Sequence, residues 1–186
     1  MSDKANFSSQ DASLNKRAAL LEKIKKFRGM EQPKECTDIT ILPRNSGENR
    51  FVASFAQRRL WFVSQMDPES IAYNFPFAYR INGSLDIDLL EQSINRVIER
   101  HEILRTTFQN IDGELFQVIA PQQNTSINFI DVSNREDKEQ VALIISRKES
   151  TCLFDLQNGP LIRFLLIRLN KDEFIFVSTV HHIVFD

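Results

Sequence analysis

Glycine and cysteine are scarce in this 186-residue chain, and their scarcity excludes several classes of protein. The five glycines lie far apart, which excludes the G-x-G-x-x-G dinucleotide turn, the phosphate-binding P-loop and the G-x-S-x-G nucleophile elbow. The two cysteines, Cys36 and Cys152, form no C-x-x-C pair. A zinc ribbon and a thioredoxin motif are therefore excluded, and a disulfide framework is disfavoured.

Positive charge is not in excess, and the chain lacks both a secretory leader and a long apolar run. Lys and Arg number 23 and Asp and Glu number 25, so the net charge is −2 and no overall basic field holds nucleic acid. Residues 1–15 are polar, unlike a signal peptide, and no apolar run approaches the ~18 residues of a transmembrane helix. We therefore expect a cytoplasmic protein without a nucleic-acid partner or a membrane segment.

Apolar residues are abundant enough to form a core. Hydrophobic residues make up 42% of the chain and include 15 Phe, which is typical of a folded domain rather than a disordered chain. The first 50 residues differ from the rest, with a polar start, a basic amphipathic helix predicted over residues 14–28 and a linker over residues 30–50. The predicted organisation is a leader of residues 1–50 followed by one folded domain over residues 51–186.

Periodicity in the folded part predicts both helices and strands. Ser54 is suited to cap a helix that ends before Asp67, and Asp86 is suited to cap a second helix. A third helix is predicted over residues 137–150, and Pro76 indicates an edge strand or a bulge. The predicted strands cover residues 73–81, 103–109, 114–120, 127–131, 161–169 and 173–180.

The last predicted strand indicates how these elements are arranged. Residues 173–180 are apolar on both faces, which predicts a central position in a sheet covered by helices. The pattern as a whole predicts an α/β fold, a two-layer sandwich in which helices pack on one side of a mixed sheet.

The chemically most distinctive segment is His181-His182 followed by Asp186. Neighbouring residues of a strand point to opposite faces, so the two imidazoles are expected to have different roles. Histidine suits proton transfer near neutral pH, and the Asp186 carboxylate can orient an imidazole or pair with a cation. Spacing alone favours structural roles for both histidines. A metal site is disfavoured because adjacent histidines on a strand diverge and few other ligands are nearby.

Two further segments carry dense hydrogen-bonding groups. Within residues 100–108, Arg100 suits the negative end of a helix dipole, and Arg105 lies beside apolar residues. By pattern alone these are surface charges, whereas a buried polar network would require a carboxylate partner for the arginine. Residues 54–62 are consistent with an ordinary capped amphipathic helix.

Taken together, the three segments resemble the first three signature motifs of the condensation domains of nonribosomal peptide synthetases. Residues 54–62 resemble S-x-A-Q-x-R-L-W-x, residues 100–108 resemble R-H-E-x-L-R-T-x-F, and residues 181–186 resemble H-H-x-x-x-D-G. Their order and spacing match the family across residues 51–186. The sequence differs in having Val180 where the family usually has Met, and in ending at Asp186 before the last motif's Gly.

The resemblance implies a fold like that of chloramphenicol acetyltransferase. A complete condensation domain in this family is a V-shaped pseudo-dimer whose active site lies in a tunnel between two halves. The chain is expected to be the N-terminal half, interrupted within its third motif. It is expected to form no peptide bond without the other half.

The resemblance also implies roles for individual residues. His182 is expected to be catalytic, facing the tunnel, where it positions the acceptor amine or accepts its proton. His181 and Asp186 are expected to be structural, with Asp186 in an ion pair with Arg100 or, as second choice, Arg105. No cofactor or metal is expected to bind directly, because phosphopantetheine arms belong to the carrier proteins.

By the same resemblance, the implied reaction joins an acyl or aminoacyl donor to an aminoacyl acceptor, each held as a thioester on a peptidyl carrier protein. The expected partners are these carrier proteins, the missing C-terminal half and an adjacent adenylation domain. Two alternatives stay open: a non-catalytic module that docks carrier proteins, and a coenzyme A-dependent acyltransferase with the same H-H-x-x-x-D motif. A heterocyclising relative is disfavoured, because that group replaces the histidine motif with aspartates.

Overall fold

The computed structural model describes residues 49–121 and 124–185. These residues belong to the second of two units into which the chain divides, Ser46–Asp186. The basic helix and the linker predicted before residue 49 lie outside the described residues, as does Asp186. Among the described residues, no helix is long and apolar enough to span a membrane.

Helices and strands of the described part follow the predicted order closely. The helices are α1 (Phe55–Met66), α2 (Ile87–Arg100) and α3 (Lys138–Ser150). Two short 3-10 turns cover Glu102–Arg105 and His182–Val184. The strands are β1 (Arg50–Val52), β2 (Asn74–Asn82), β3 (Thr106–Ile111), β4 (Glu114–Ile119), β5 (Asn128–Asp131), β6 (Ile162–Asn170) and β7 (Glu173–His181).

The described strands form two sheets. A three-stranded antiparallel sheet has the order β1-β4-β3, and a four-stranded sheet has the order β2-β7-β6-β5. The larger sheet is mixed because β5 runs parallel to β6, whereas the other neighbours are antiparallel. The predicted central position of the last strand is confirmed, since β7 lies between β2 and β6. Pro76 lies on β2, which is an edge strand of the described sheet, as predicted.

Helices cover both faces of the larger sheet, so the prediction that they pack on one side was wrong. Leu165 and Ile167 of β6 belong to a buried cluster with Ala142 of α3. Leu166, which points the opposite way, belongs to a second cluster that includes Ile94 of α2. The physical reason is the run of apolar residues along β6 and β7. Both faces of these two strands are apolar and must be buried. Helices on only one face of the sheet would leave its other apolar face exposed to water.

Side-chain caps begin the first two helices where the sequence predicted them. The Ser54 hydroxyl accepts from the Gln57 backbone N–H at 3.2 Å, and the Gln57 side-chain oxygen accepts from the Ser54 N–H at 2.9 Å. This reciprocal capping box satisfies two donors that a helix start leaves free. Asp86 accepts from the Leu89 N–H at 3.0 Å and begins α2 in the same way.

The smaller sheet differs from prediction at both of its ends. The hairpin strand begins at Thr106 rather than at residue 103, because residues 102–105 form a 3-10 turn. The Thr106 hydroxyl donates to the Glu102 carbonyl at 2.8 Å and closes that turn. Strand β1 was not predicted. It has three residues and is held by pairing with β4, a contact distant in sequence that no local pattern indicates.

One buried cluster joins the smaller sheet to the end of β7. Trp61 of α1, Phe108 of β3 and Leu115 of β4 pack with Val180 and Ile183 in this cluster. Helix α1 also contacts the His182–Val184 turn. The paired histidines therefore lie where the larger sheet, the smaller sheet and α1 come together.

Candidate active site

The candidate site is formed where β7 ends and the chain turns. The backbone N–H of His181 donates to the Leu161 carbonyl at 3.0 Å, on the β6 side. The next backbone N–H, that of His182, donates to the Tyr73 carbonyl at 2.9 Å, just before β2. These two successive backbone donors bind the two segments that flank β7, so the backbone at both histidines is held on either side within the plane of the sheet.

His181 is buried and acts as an internal hydrogen-bond acceptor. Its side chain is only 7% exposed, and its Nδ1 accepts from the Ile183 backbone N–H at 3.1 Å. Burial, with a smaller contribution from the neighbouring His182, lowers the pKa of His181 to about 4. The imidazole is therefore neutral near pH 7, with its Nδ1 lone pair engaged by the turn. This environment suits a structural role.

His182 differs, because it is half-buried and its ring is oriented by a carbonyl. Its Nδ1 lies 2.5 Å from the Phe185 carbonyl oxygen. A carbonyl oxygen only accepts, so Nδ1 must carry the proton and donate. In the neutral imidazole the other nitrogen, Nε2, then carries a lone pair that can accept a proton. The Phe75 ring, with its centroid 4.9 Å away, and the Tyr73 ring at 6.4 Å flank the imidazole.

The two arginines singled out by the sequence have different environments. Arg100 is exposed in the last turn of α2. The Arg105 side chain is only 11% exposed, donates to the Ala120 carbonyl and pairs with the Glu102 carboxylate at 3.2 Å. The Nε of Arg105 is buried without a hydrogen-bond partner among the described residues. Since Asp186 lies outside those residues, its ion pair with either arginine stays a prediction.

Several residues that build the site were not found from the sequence. Tyr73 and Phe75 reach His182 because β2 pairs with β7. Phe154, in the loop after α3, meets the His181 ring edge-on with centroids 5.8 Å apart. Phe185 was read only as a spacer within the histidine motif. One signal in the sequence could have found Tyr73 and Phe75. If the predicted strand over residues 73–81 had been paired with the central strand, residues 73–75 would have been placed beside the histidines.

No metal cluster is found in the described part of the chain. Within residues 49–121 and 124–185, no group of three His, Cys, Asp or Glu side chains is arranged to hold a metal ion.

Comparison with known proteins identifies the family. Residues 48–186 match the family model of the condensation domain, so this chain belongs to the condensation-domain family. Over 152 residues it is 43% and 41% identical to two different subunits of the linear gramicidin synthase of Brevibacillus parabrevis. Each alignment covers 81% of this chain but only 3% and 2%, respectively, of those much longer synthase chains.

Solved structures agree with this assignment. The starter condensation domain of rhizomide synthetase RzmA is similar, with a TM-score of 0.69 and 25% sequence identity. The match covers 73% of this chain and 34% of the solved chain. The resemblance inferred from the three motifs and the predicted α/β fold of the chloramphenicol acetyltransferase type are thereby confirmed.

Proposed function

We propose that this chain forms one lobe of a condensation domain in a nonribosomal peptide synthetase. The complete domain joins a donor acyl or aminoacyl thioester to the amine of an aminoacyl acceptor. The observation that carries the proposal is the contact between His182 Nδ1 and the Phe185 carbonyl. It leaves Nε2 free to accept a proton on a half-buried ring held at the end of a central strand.

In the proposed reaction, the acceptor's amine nitrogen attacks the donor's thioester carbonyl carbon. A C–N bond forms, the C–S bond breaks, and the electron pair of that bond goes to the leaving sulfur. The nitrogen loses one proton to His182 Nε2, and that proton then passes to the thiolate to give a free thiol. The acceptor keeps its own thioester and now carries the lengthened chain. A positioned general base contributes about 10²–10⁴ in rate.

His181 has a supporting part in this proposal. Its Nδ1 accepts from the Ile183 N–H and so stabilises the turn that contains His182. Because its pKa is about 4, this lone pair remains available across the neutral range in which an amine must be deprotonated. A protonated His181 would lose the acceptor and the hydrogen bond together.

The Asp186 carboxylate is proposed to support the same turn through an ion pair with an arginine. The sequence favours Arg100, whereas burial favours Arg105, because the Arg105 side chain is only 11% exposed and its Nε lacks a hydrogen-bond partner among the described residues. A double-mutant cycle decides between them. Asp186→Asn is combined with Arg100→Met or with Arg105→Met, and the unfolding free energies are compared. The pair that exists shows a coupling energy, and additive losses in both cycles would contradict the ion pair.

Carrier proteins are the proposed partners, and their phosphopantetheine arms are the proposed means of substrate delivery. One structure of a rhizomide synthetase starter domain variant, 25% identical to this chain, is a complex with C8-CoA. Coenzyme A contains the same phosphopantetheine arm, which supports thioester delivery at this kind of site. A second lobe and an adjacent adenylation domain complete the proposed assembly. Residues 1–186 alone are expected to form no peptide bond, since they match 34% of the solved domain chain.

The test is condensation between two loaded carrier proteins by the complete domain that contains this sequence. His182→Ala is expected to lower single-turnover rates by about 10²–10⁴ while the melting temperature stays close to wild type. His101→Ala is the matched control, because His101 is exposed at the end of α2. Near-normal turnover in His182→Ala would contradict the assigned role. Efficient transfer from a free coenzyme A thioester, with no carrier required, would instead favour the acyltransferase alternative.

A further inference from the structure

Arg163 of β6 is anchored at the end of helix α3. Its Nε donates to the Glu149 carboxylate at 2.6 Å, and its Nη2 donates to the Glu149 and Cys152 carbonyls at 3.2 and 3.0 Å. Its Nη1 donates to the Leu153 carbonyl at 3.3 Å. A cation suits the negative end of a helix, and these acceptors hold the planar guanidinium in one orientation. The Arg163 side chain is only 22% exposed, so water competes weakly for these bonds.

The guanidinium of Arg163 supports an aromatic ring on one face. Its central carbon lies 3.8 Å from the centroid of the Phe154 ring, within the range of a cation–π contact. The same ring meets His181 edge-on, with centroids 5.8 Å apart and planes at 80°. Phe154 is thus held between a fixed cation and the buried histidine.

From His181 the contacts continue into the turn that carries His182. The His181 Nδ1 accepts from the Ile183 N–H, one residue beyond His182. Within this turn, the His182 ring is oriented by the Phe185 carbonyl. A continuous series of contacts therefore joins the end of α3 to the imidazole that the proposed function uses.

We propose that Arg163 is a positioning residue for His182, acting through Phe154 and His181. The inference rests on the proposed role of His182. Loss of the guanidinium frees the Phe154 ring and weakens the support of His181. The turn then loosens, so that the His182 Nδ1–H no longer stays on the Phe185 carbonyl. The lone pair on Nε2 is then no longer held in one place.

Arg168 provides a matched control on the same strand. It pairs with the Asp131 carboxylate at 3.1 Å and lies over the Phe129 ring with 5.0 Å to its centroid. It therefore makes an ion pair and a cation–π contact like those of Arg163, but at the β5 edge of the sheet. Substitution of Arg168 reports the effect of losing such contacts without disturbing the Phe154–His181 pair.

The first experiment measures the ring ¹⁵N shifts of His182 by NMR in the 186-residue chain. The wild-type chain and the Arg168→Met variant are expected to show protonated Nδ1 and unprotonated Nε2. The Arg163→Met and Phe154→Leu variants are expected to show a mixture of the two tautomers. Arg163→Lys is expected to be intermediate, since lysine keeps the cation but lacks the planar fork. Unchanged shifts in both Arg163→Met and Phe154→Leu would overturn the proposal.

The second experiment measures kcat and KM of the complete domain with loaded carrier proteins. Displacement of a catalytic group by about 1 Å can cost roughly 10²-fold in rate. Arg163→Met is therefore expected to lower kcat by up to about 10²-fold and to leave KM unchanged. Arg168→Met is expected to keep kcat within twofold of wild type. Equal kcat values for the two variants would overturn the proposal. Failure of the proposed function gives a different result: His182→Ala then condenses at the wild-type rate. In that case the NMR shifts still test whether Arg163 positions the His182 ring.

Discussion

Asn74 lies directly opposite His181 in the antiparallel pair of β2 and β7, and its side chain reaches across to the end of α3. The Asn74 amide nitrogen donates to the Ser150 carbonyl at 3.0 Å and to the Cys152 carbonyl at 2.9 Å. These carbonyls belong to the helix end that Arg163 also binds. Asn74 thus joins β2 to the end of α3 beside the candidate site, and neither of these two bonds involves His182 Nε2.

Substitution of Asn74 by Ala is expected to destabilise the fold. The Ser150 carbonyl then loses its side-chain donor in a partly buried location, whereas the Cys152 carbonyl keeps the bond from Arg163. An unsatisfied buried acceptor costs about 1–3 kcal/mol. Urea unfolding followed by circular dichroism measures the loss. The exposed Asn134 gives a matched control, with Asn134→Ala expected to stay within about 0.5 kcal/mol of wild type. Equal midpoints for the two variants would mean that the Asn74 bonds contribute nothing.

Stability is expected to depend on pH through His181. The pKa of His181 is about 4 in the folded state and 6.5 in the unfolded state. Between these pH values the unfolded chain binds a proton at His181 and the folded chain does not. The contribution of neutral His181 is fully present above pH 6.5 and falls as the pH drops toward 4. Unfolding free energies at pH 7 and pH 5.5, above the ordinary range of carboxylates, measure it. The decline is expected to shrink in His181→Gln, and an identical decline in both proteins would exclude His181 as its source.

An exposed ionic network at the far end of the larger sheet is expected to respond to salt. Arg80 of β2 binds both oxygens of Glu139 at 2.9 and 2.7 Å, and it binds Glu173 at 2.5 Å. The guanidinium lowers the pKa of both carboxyls, so its stabilising effect is present above pH 4.5 and is lost as the pH falls through the lowered values. The difference between wild type and Arg80→Met is expected to be small and to shrink further at high salt. A difference independent of both salt and pH would point to packing by the Arg80 stem instead.

The core beneath the candidate site is expected to be sensitive to cavities. Phe108 is fully buried in the cluster that includes Val180 and Ile183. Phe108→Ala is expected to cost about 3–5 kcal/mol, from lost burial and from the cavity left behind. Phe55, 60% exposed at the start of α1, supplies the control, and Phe55→Ala is expected to cost less than about 1 kcal/mol. Comparable losses in chemical unfolding would show that Phe108 is not a main element of this core.

Local sequence was sufficient for the helices, the long strands and the family. The Ser54 and Asp86 caps, the apolar spacing of α2 and the apolar runs within β6 and β7 each depend on residues only a few positions apart. Local sequence therefore predicts these elements. The three motifs were likewise sufficient to predict membership of the condensation-domain family. Strand β1 and the 3-10 turn at residues 102–105 escaped prediction, because partners distant in sequence or a single side-chain bond define them.

The environments of the two histidines depended on contacts that the motif does not contain. Adjacency and strand alternation predicted that His181 and His182 would differ, but not which groups would surround them. The burial of His181 comes from the packing of β7 against its neighbours, and the orientation of His182 comes from the Phe185 carbonyl after the chain turns. Phe154, in the loop after α3, contacts His181, and Arg163, on β6, contacts Phe154, although nothing in the local pattern of either residue marks it. Such contacts join distant parts of the chain, so they form only when the sheet and its helices assemble.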